Sequence, residues 1–174
     1  MKNFFKGALS AVFLLGLFAL AYAIHETIPA ETQVPMPGAD AGKLYEYITK
    51  HKPYTQWQLW PGRGRMYKGT EPHGALLTTY VDNTALASVK KKKGMAEGSL
   101  IAKENYTADR KFDALTVMYK IKGFNPSAGD WFWAKYDKAG KVLASGKVEG
   151  CIKCHGKKKD NDYVFTGEVK KDGY

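Results

Sequence analysis

The sequence predicts an α+β domain, a predominantly antiparallel β-sheet with a few short helices. Three observations carry this expectation. Apolar residues recur at period two through several runs between positions 75 and 148, the spacing of strands with one face buried. Two of those runs, residues 131–136 (WFWAKY) and 141–148 (KVLASGKV), are joined by Asp137-Lys-Ala-Gly140, a hairpin connection. Helical spacing, by contrast, is confined to short stretches. Runs of strands with only occasional helices favour an antiparallel sheet over alternating βαβ units.

Residues 1–23 come first and read as a secretory signal peptide. Lys2 and Lys6 precede an apolar run, GALSAVFLLGLFAL, which closes on Ala21-Tyr22-Ala23. The run is shorter than the roughly 20 apolar residues that a spanning helix needs. The expected mature protein is therefore exported, to the periplasm or an equivalent compartment, and starts at Ile24. Residues 24–40 hold three prolines and no apolar period, so a loose arm is expected there. The remainder, 41–174, is of a size for one domain. A chain of this length builds a real core, and disulfide staples are not needed for folding.

Residues 41–52 place Leu44, Tyr45, Ile48 and Lys52 at helical spacing, and Pro53 ends the pattern. Trp57 and Trp60 are expected on one face of a further helical turn before Pro61-Gly62. Residues 75–81 (ALLTTYV) then read as a strand. Residues 83–92 read as a short helix, capped by Asp82 or Asn83 and stopped by Gly94. Residues 99–106 (SLIAKENY) and 114–122 (ALTVMYKIK) read as strands. In the first, Ile101, Lys103 and Asn105 share one face. In the second, Leu115, Val117, Tyr119 and Ile121 do. With the hairpin, and a final segment 162–167 (DYVFTG) returning toward the sheet, four or five strands are expected.

The formal net charge of +10 would suit nucleic acid, anionic membrane or an acidic protein partner. The lysines cluster in two runs, at 90–93 and 157–159, and arginine occurs only as Arg63, Arg65 and Arg110. No arginine-rich arm supports a nucleic-acid partner. Lys157, Lys158 and Lys159 directly follow the cysteine motif. There they could steer an acidic redox protein, an effect that salt would weaken, or serve as the solvated tail of a helix.

Both cysteines lie in GCIKCHG, residues 150–156. A disulfide across two intervening residues closes too small a loop to stabilise much, and redox pairs of this spacing normally accompany a βαβ pattern. A zinc site needs four ligands, but none of the other histidines, His25, His51 and His73, is paired with a cysteine. The remaining reading is attachment of one covalent haem c, whose signature is C-x-x-C-H. On a helix Cys151 and Cys154 share a face and can both form thioethers, and His155 follows as the axial iron ligand. Gly150 and Gly156 leave room for the ring. The four tryptophans, Trp57, Trp60, Trp131 and Trp133, are expected in the core and the haem wall.

Beyond that motif, the strand GSLIAKENY with Lys103, the aromatic strand GDWFWAKY, the late CIKCH and the following DYVFTG resemble the cytochrome P-460 family, which includes the beta-type cytochromes c prime. The resemblance covers roughly residues 54–167. It implies an often dimeric, mostly antiparallel fold and a five-coordinate haem with an open distal side. It implies either oxidation of hydroxylamine, with nitric oxide chemistry nearby, or non-catalytic binding of nitric oxide. Lys103 matches the lysine that the P-460 members join covalently to the haem ring. Where the family carries an aromatic distal cap, this chain has His73. A distal histidine can donate a hydrogen bond to a bound ligand, shuttle protons or bind the iron, the last giving an electron carrier. Glu71, His73 and Glu149 are the titratable candidates for moving the protons of hydroxylamine. Met66, Met95 and Met118 are the sulfur alternatives for the sixth iron position, although methionines are more often core.

Overall fold

The structure, a computed structural model, describes residues 34–170. The expected signal peptide, most of the expected arm, His25 and the last four residues lie outside the described residues. Among the described residues no helix is long and apolar enough to cross a membrane.

The first element, α1 (Ala41–Glu46), starts where the side chain of Asp40 accepts a 2.9 Å hydrogen bond from the Lys43 amide. It runs directly into a wider, π-helical turn, Tyr47–His51, before Pro53. Leu44 and Ile48 are fully buried, so the face expected from their spacing is the packed one.

Seven antiparallel strands follow in one sheet: β1 (Gln58–Leu59), β2 (Tyr67–Lys68), β3 (Leu76–Val81), β4 (Leu100–Tyr106), β5 (Phe112–Lys120), β6 (Trp131–Asp137) and β7 (Val142–Gly146). The last five run in sequence order, and β1 and β2 pair with the two ends of β3 along its outer edge. The four or five strands expected from sequence are thus exceeded by the two short ones. Trp57 and Trp60 do not share a helical face. A 3-10 turn (Tyr54–Gln56) gives way to β1, because the two-residue run before Pro61 finds its hydrogen bonds on β3 rather than within itself. Trp57 packs toward one side of the sheet and Trp60 is buried on the other.

Between β3 and β4, α2 (Asn83–Lys91) is capped by Asp82, which accepts from Ala85 at 2.8 Å. The β6–β7 turn is held by Asp137 Oδ1, which accepts from the amides of Ala139 and Lys141. Gly140 takes φ +83° there, a conformation glycine adopts without strain.

Alternation divides the side chains between two cores. Leu100 and Ala102, with Leu115, Val117, Phe132 and Tyr136, meet α1 on one face. Ile101, Trp131 and Trp133 face the other way, toward α2, toward α3 (Glu149–His155) and toward Val164 and Val169 of the C-terminal segment. Residues 162–167 form no strand; they pack on that second face as irregular chain. The face that β4 shares with α3 carries the site.

Candidate functional site

A cavity of about 580 Å³ opens between this sheet face and α3. Its size is that of sites enclosing a small molecule or cofactor. The register builds its floor. Ile101, Lys103 and Asn105 pair across to Met118, Thr116 and Ala114, and Met118 and Thr116 pair on to Trp133 and Lys135. All of them line the cavity. The period-two reading that put Lys103 and Asn105 on one face is therefore what places both at the site.

One wall is α3, through Gly150, Cys151, Cys154 and His155. Both thiols are half-buried and not joined to each other. Burial, and next the neighbouring Cys154, push the Cys151 thiol above its usual range, which keeps it protonated. A side chain built on Gly150 would meet no protein atom within 4 Å, so this wall is left open toward the cavity. Gly156 is equally unobstructed but is not part of the lining.

His155 is buried, 7% exposed, with its ring 4.6 Å from that of Trp133 and 5.3 Å from that of Phe165. Its Nδ1 lies 2.7 Å from the carbonyl oxygen of Tyr163. A carbonyl only accepts, so Nδ1 carries the proton and Nε2 keeps a lone pair. Burial, and then the charge of Lys103, lower the imidazole's pKa, while the bond to Tyr163 opposes them. The neutral, ligating form is the favoured one.

The Tyr163 carbonyl is brought back to His155 by two consecutive left-handed residues, Asp162 (φ +53°) and Tyr163 (φ +65°). Each costs on the order of 1 kcal/mol for a residue with a Cβ. A latch offsets that cost. Asp162 Oδ1 meets Lys120 Nζ at 2.6 Å, its Oδ2 accepts from the Met95 amide at 2.7 Å, and its carbonyl accepts from Trp131 Nε1 at 3.0 Å. Both charged side chains are mostly buried, and the Lys120 ammonium sits 4.9 Å from the centre of the Trp131 ring.

Opposite α3, the loop before β3 brings in Glu71 and His73. Gly74 makes this approach feasible, because a Cβ there would lie 2.4 Å from the Tyr106 carbonyl oxygen. Asn105 then fixes the imidazole. Its amide nitrogen donates to the carbonyls of Lys103 and Ala114 at 3.0 and 3.1 Å and to Thr116 Oγ1 at 3.2 Å. Its Oδ1 accepts from the Gly74 amide at 3.3 Å and faces His73 Nδ1 at 3.0 Å. With the amide so oriented, His73 Nδ1 is the donor and Nε2 is bare. Burial, and after it the charge of Lys103, lower the pKa of His73 to about 4, so it is neutral at physiological pH.

Lys103 retains partial accessibility only toward the cavity; its ammonium is otherwise enclosed by protein, and desolvation lowers its pKa to about 8. The unfolded chain therefore binds more protons than the folded one between about pH 8 and the ordinary lysine value of 10.5. In haem-free protein, stability should rise across that window by on the order of 3 kcal/mol. Denaturant titrations at pH 7 to 10 will show the rise in the parent and its absence in Lys103→Met.

The expected site residues are thus partly assembled. Cys151, Cys154, His155, Lys103 and His73 surround one cavity, with Glu71 exposed at its rim. Glu149 is exposed in the first turn of α3 and is not among the lining residues. Of Met66, Met95 and Met118, only Met118 lines the cavity. Trp133 is the tryptophan of the wall, and its buried Nε1 has no hydrogen-bond partner among the described residues. Asn105, Asp162 and Lys120 were not singled out from sequence. Asn105 was detectable, since it shares the face of Lys103.

Residues 52–166 match the family model described as Cytochrome P460. The chain belongs to the cytochrome P460 family. No curated protein matches it. The family implies haem, and the residues fit one. Two free thiols stand three residues apart on the cavity wall, followed by a neutral imidazole with its Nδ1 pinned. An open glycine wall and an orphaned indole N–H border the same space. Among the described residues no group of three or more His, Cys, Asp or Glu side chains could hold a metal ion by itself, which a zinc site would need.

Proposed function

We propose that this member of the cytochrome P460 family is an exported c-type cytochrome with one haem, which binds hydroxylamine or nitric oxide and oxidises hydroxylamine. The observation that carries the reading is the opposition, across one cavity, of Cys151, Cys154 and His155 on α3 to His73 and Lys103 on the other side. Cys151 and Cys154 would hold the haem by thioethers and His155 would be its axial ligand. The bound group supplies electron transfer at its iron.

The chain's own residues supply the rest. Trp133 and Phe165 hold the His155 ring, and the Tyr163 carbonyl keeps its tautomer. The neutral Nε2 of His73 can accept a proton from hydroxylamine. Lys103 faces the same cavity with its amine eased toward neutrality by burial; a bond from its nitrogen to a ring carbon would break one N–H and one C–H bond and would need a two-electron oxidant such as a peroxide. The reading of residues 1–23 supports export. Lys157, Lys158 and Lys159, all exposed beside α3, suit an acidic redox partner that takes the electrons.

The test is mass spectrometry of tryptic peptides from the protein matured in a periplasm, together with hydroxylamine turnover using an artificial electron acceptor. One haem on the Cys151–Cys154 peptide, a second link at Lys103, and turnover are expected. Haem without turnover or a Lys103 link would leave a ligand-binding or electron-transfer cytochrome. Absence of haem would end the proposal.

A further inference from the structure

His73 faces His155 in a way that the family's open distal side does not require. The two ring centres are 6.2 Å apart and the ring planes lie at 86°. An imidazole nitrogen sits about 2 Å from a metal ion and roughly 1.1 Å from its own ring centre, so two imidazoles on one ion place their centres roughly 6.3 Å apart. Direct edge-to-face packing of two rings covers roughly 4.5–7 Å and so includes the same separation. The hydrogen bonds add a second observation. Both N–H groups are consumed elsewhere, at Asn105 Oδ1 and at the Tyr163 carbonyl. Each ring has a bare Nε2 with no hydrogen-bond partner among the described residues, and both rings line one cavity. Two pinned imidazoles, each with an electron pair to give, suit a common electron-pair acceptor.

We propose that His73 binds the haem iron opposite His155, so that the resting site is closed by two histidines and a small nitrogen ligand enters only by displacing His73. This rests on the haem reading above and deepens it. The exchange is a ligand substitution: the bond from iron to His73 Nε2 breaks, one from iron to the incoming nitrogen forms, and no electron moves. Asn105 is the positioning residue, since its Oδ1 fixes the ring's tautomer and its amide nitrogen anchors it to β4 and β5. The displaced Nε2 is then free to take a proton, so one atom serves in turn as gate and as base. Glu71 at the rim and Lys103, Lys135 and Asp113 along the same cavity are the charged groups bordering that movement.

Electron paramagnetic resonance and optical spectra of the oxidised, haem-loaded protein test this directly. The parent should be low-spin and six-coordinate. His73→Ala should become high-spin, return to low-spin on addition of imidazole, and bind nitric oxide with an apparent affinity raised roughly tenfold or more, the factor by which a closed resting state masks a site. A haem-loaded parent that is high-spin overturns the proposal, and so does a His73→Ala protein that stays low-spin without imidazole, Met118 being the alternative ligand. Both outcomes leave the covalent haem reading intact. A parent without haem overturns both readings. The spin state of the parent needs no variant, so the test survives a misfolded substitution.

Discussion

Replacing Cys151 and Cys154 together with alanine is expected to leave a protein with no haem retained after denaturation. Both thiols are half-buried on the inner wall of α3, and among the described residues neither is in a disulfide. Alanine is the strongest helix former, so the exchange removes the sulfurs without weakening the helix. Far-ultraviolet circular dichroism should therefore be unchanged while haem staining on a denaturing gel disappears. Each single variant should keep a reduced signal through its remaining sulfur. A haem-stained band in the double variant would sink the thioether assignment outright.

The second large effect lies on the opposite face of β4. Glu104 is 7% exposed and accepts three phenol hydroxyls: Tyr54 at 3.1 Å, Tyr80 at 3.0 Å and Tyr106 at 2.7 Å. Arg65 donates to the Tyr80 oxygen at 2.5 Å. Burial first, then the charge and hydrogen bond of Glu104, push the Tyr54 and Tyr80 hydroxyls above their usual range, so they stay protonated donors. Glu104→Leu would take the acceptor from one buried hydroxyl, that of Tyr80, and from two half-buried ones, those of Tyr54 and Tyr106. At about 1–3 kcal/mol for the buried donor left unsatisfied and about 1 kcal/mol for each of the other two bonds, the loss should reach about 3 kcal/mol. For a chain of this size that is a fall in Tm of roughly 10 °C. Tyr54→Phe, which removes one bond and leaves the carboxyl group with two, should cost only about 1 kcal/mol. Thermal unfolding of the two variants separates these magnitudes; a Glu104→Leu loss below that of Tyr54→Phe would show that the cluster is not a load on the fold. Because Lys103 and Asn105 flank Glu104 on β4 and point the other way, the same strand ties this polar cluster to the floor of the cavity.

What could be read from residue order was whatever a local period carries. Period two placed Ile101, Lys103 and Asn105 on one face, and the cavity confirms that alternation. The hairpin at Asp137–Gly140 and the cap of α2 were legible for the same reason, since each is settled by residues within one turn of chain. The misreading at Trp57 and Trp60 has the converse cause. Their spacing fits a helix, but β1 takes its hydrogen bonds from β3, more than twenty residues away. Segment 162–167 does not start as a strand because Asp162 and Tyr163 take left-handed backbone, φ +53° and +65°, in a bend held by the bonds of Asp162 to Lys120, Met95 and Trp131. Glu149 was grouped with Glu71 and His73 by chemistry alone, and α3 turns it to solvent.

Residue order alone sets the C-x-x-C-H motif, the strand that presents Lys103 and the α+β class, because those properties depend on bonds and periods within a few residues. It takes the folded chain to show that the His73 ring stands 6.2 Å from that of His155, that Asn105 sets its tautomer, and that a backbone carbonyl at Tyr163 sets the other. Those facts depend on sheet register and on a left-handed bend held by a buried ion pair. They bring together groups far apart in the chain, one of them a peptide oxygen that every residue possesses, and no local pattern encodes which one will arrive.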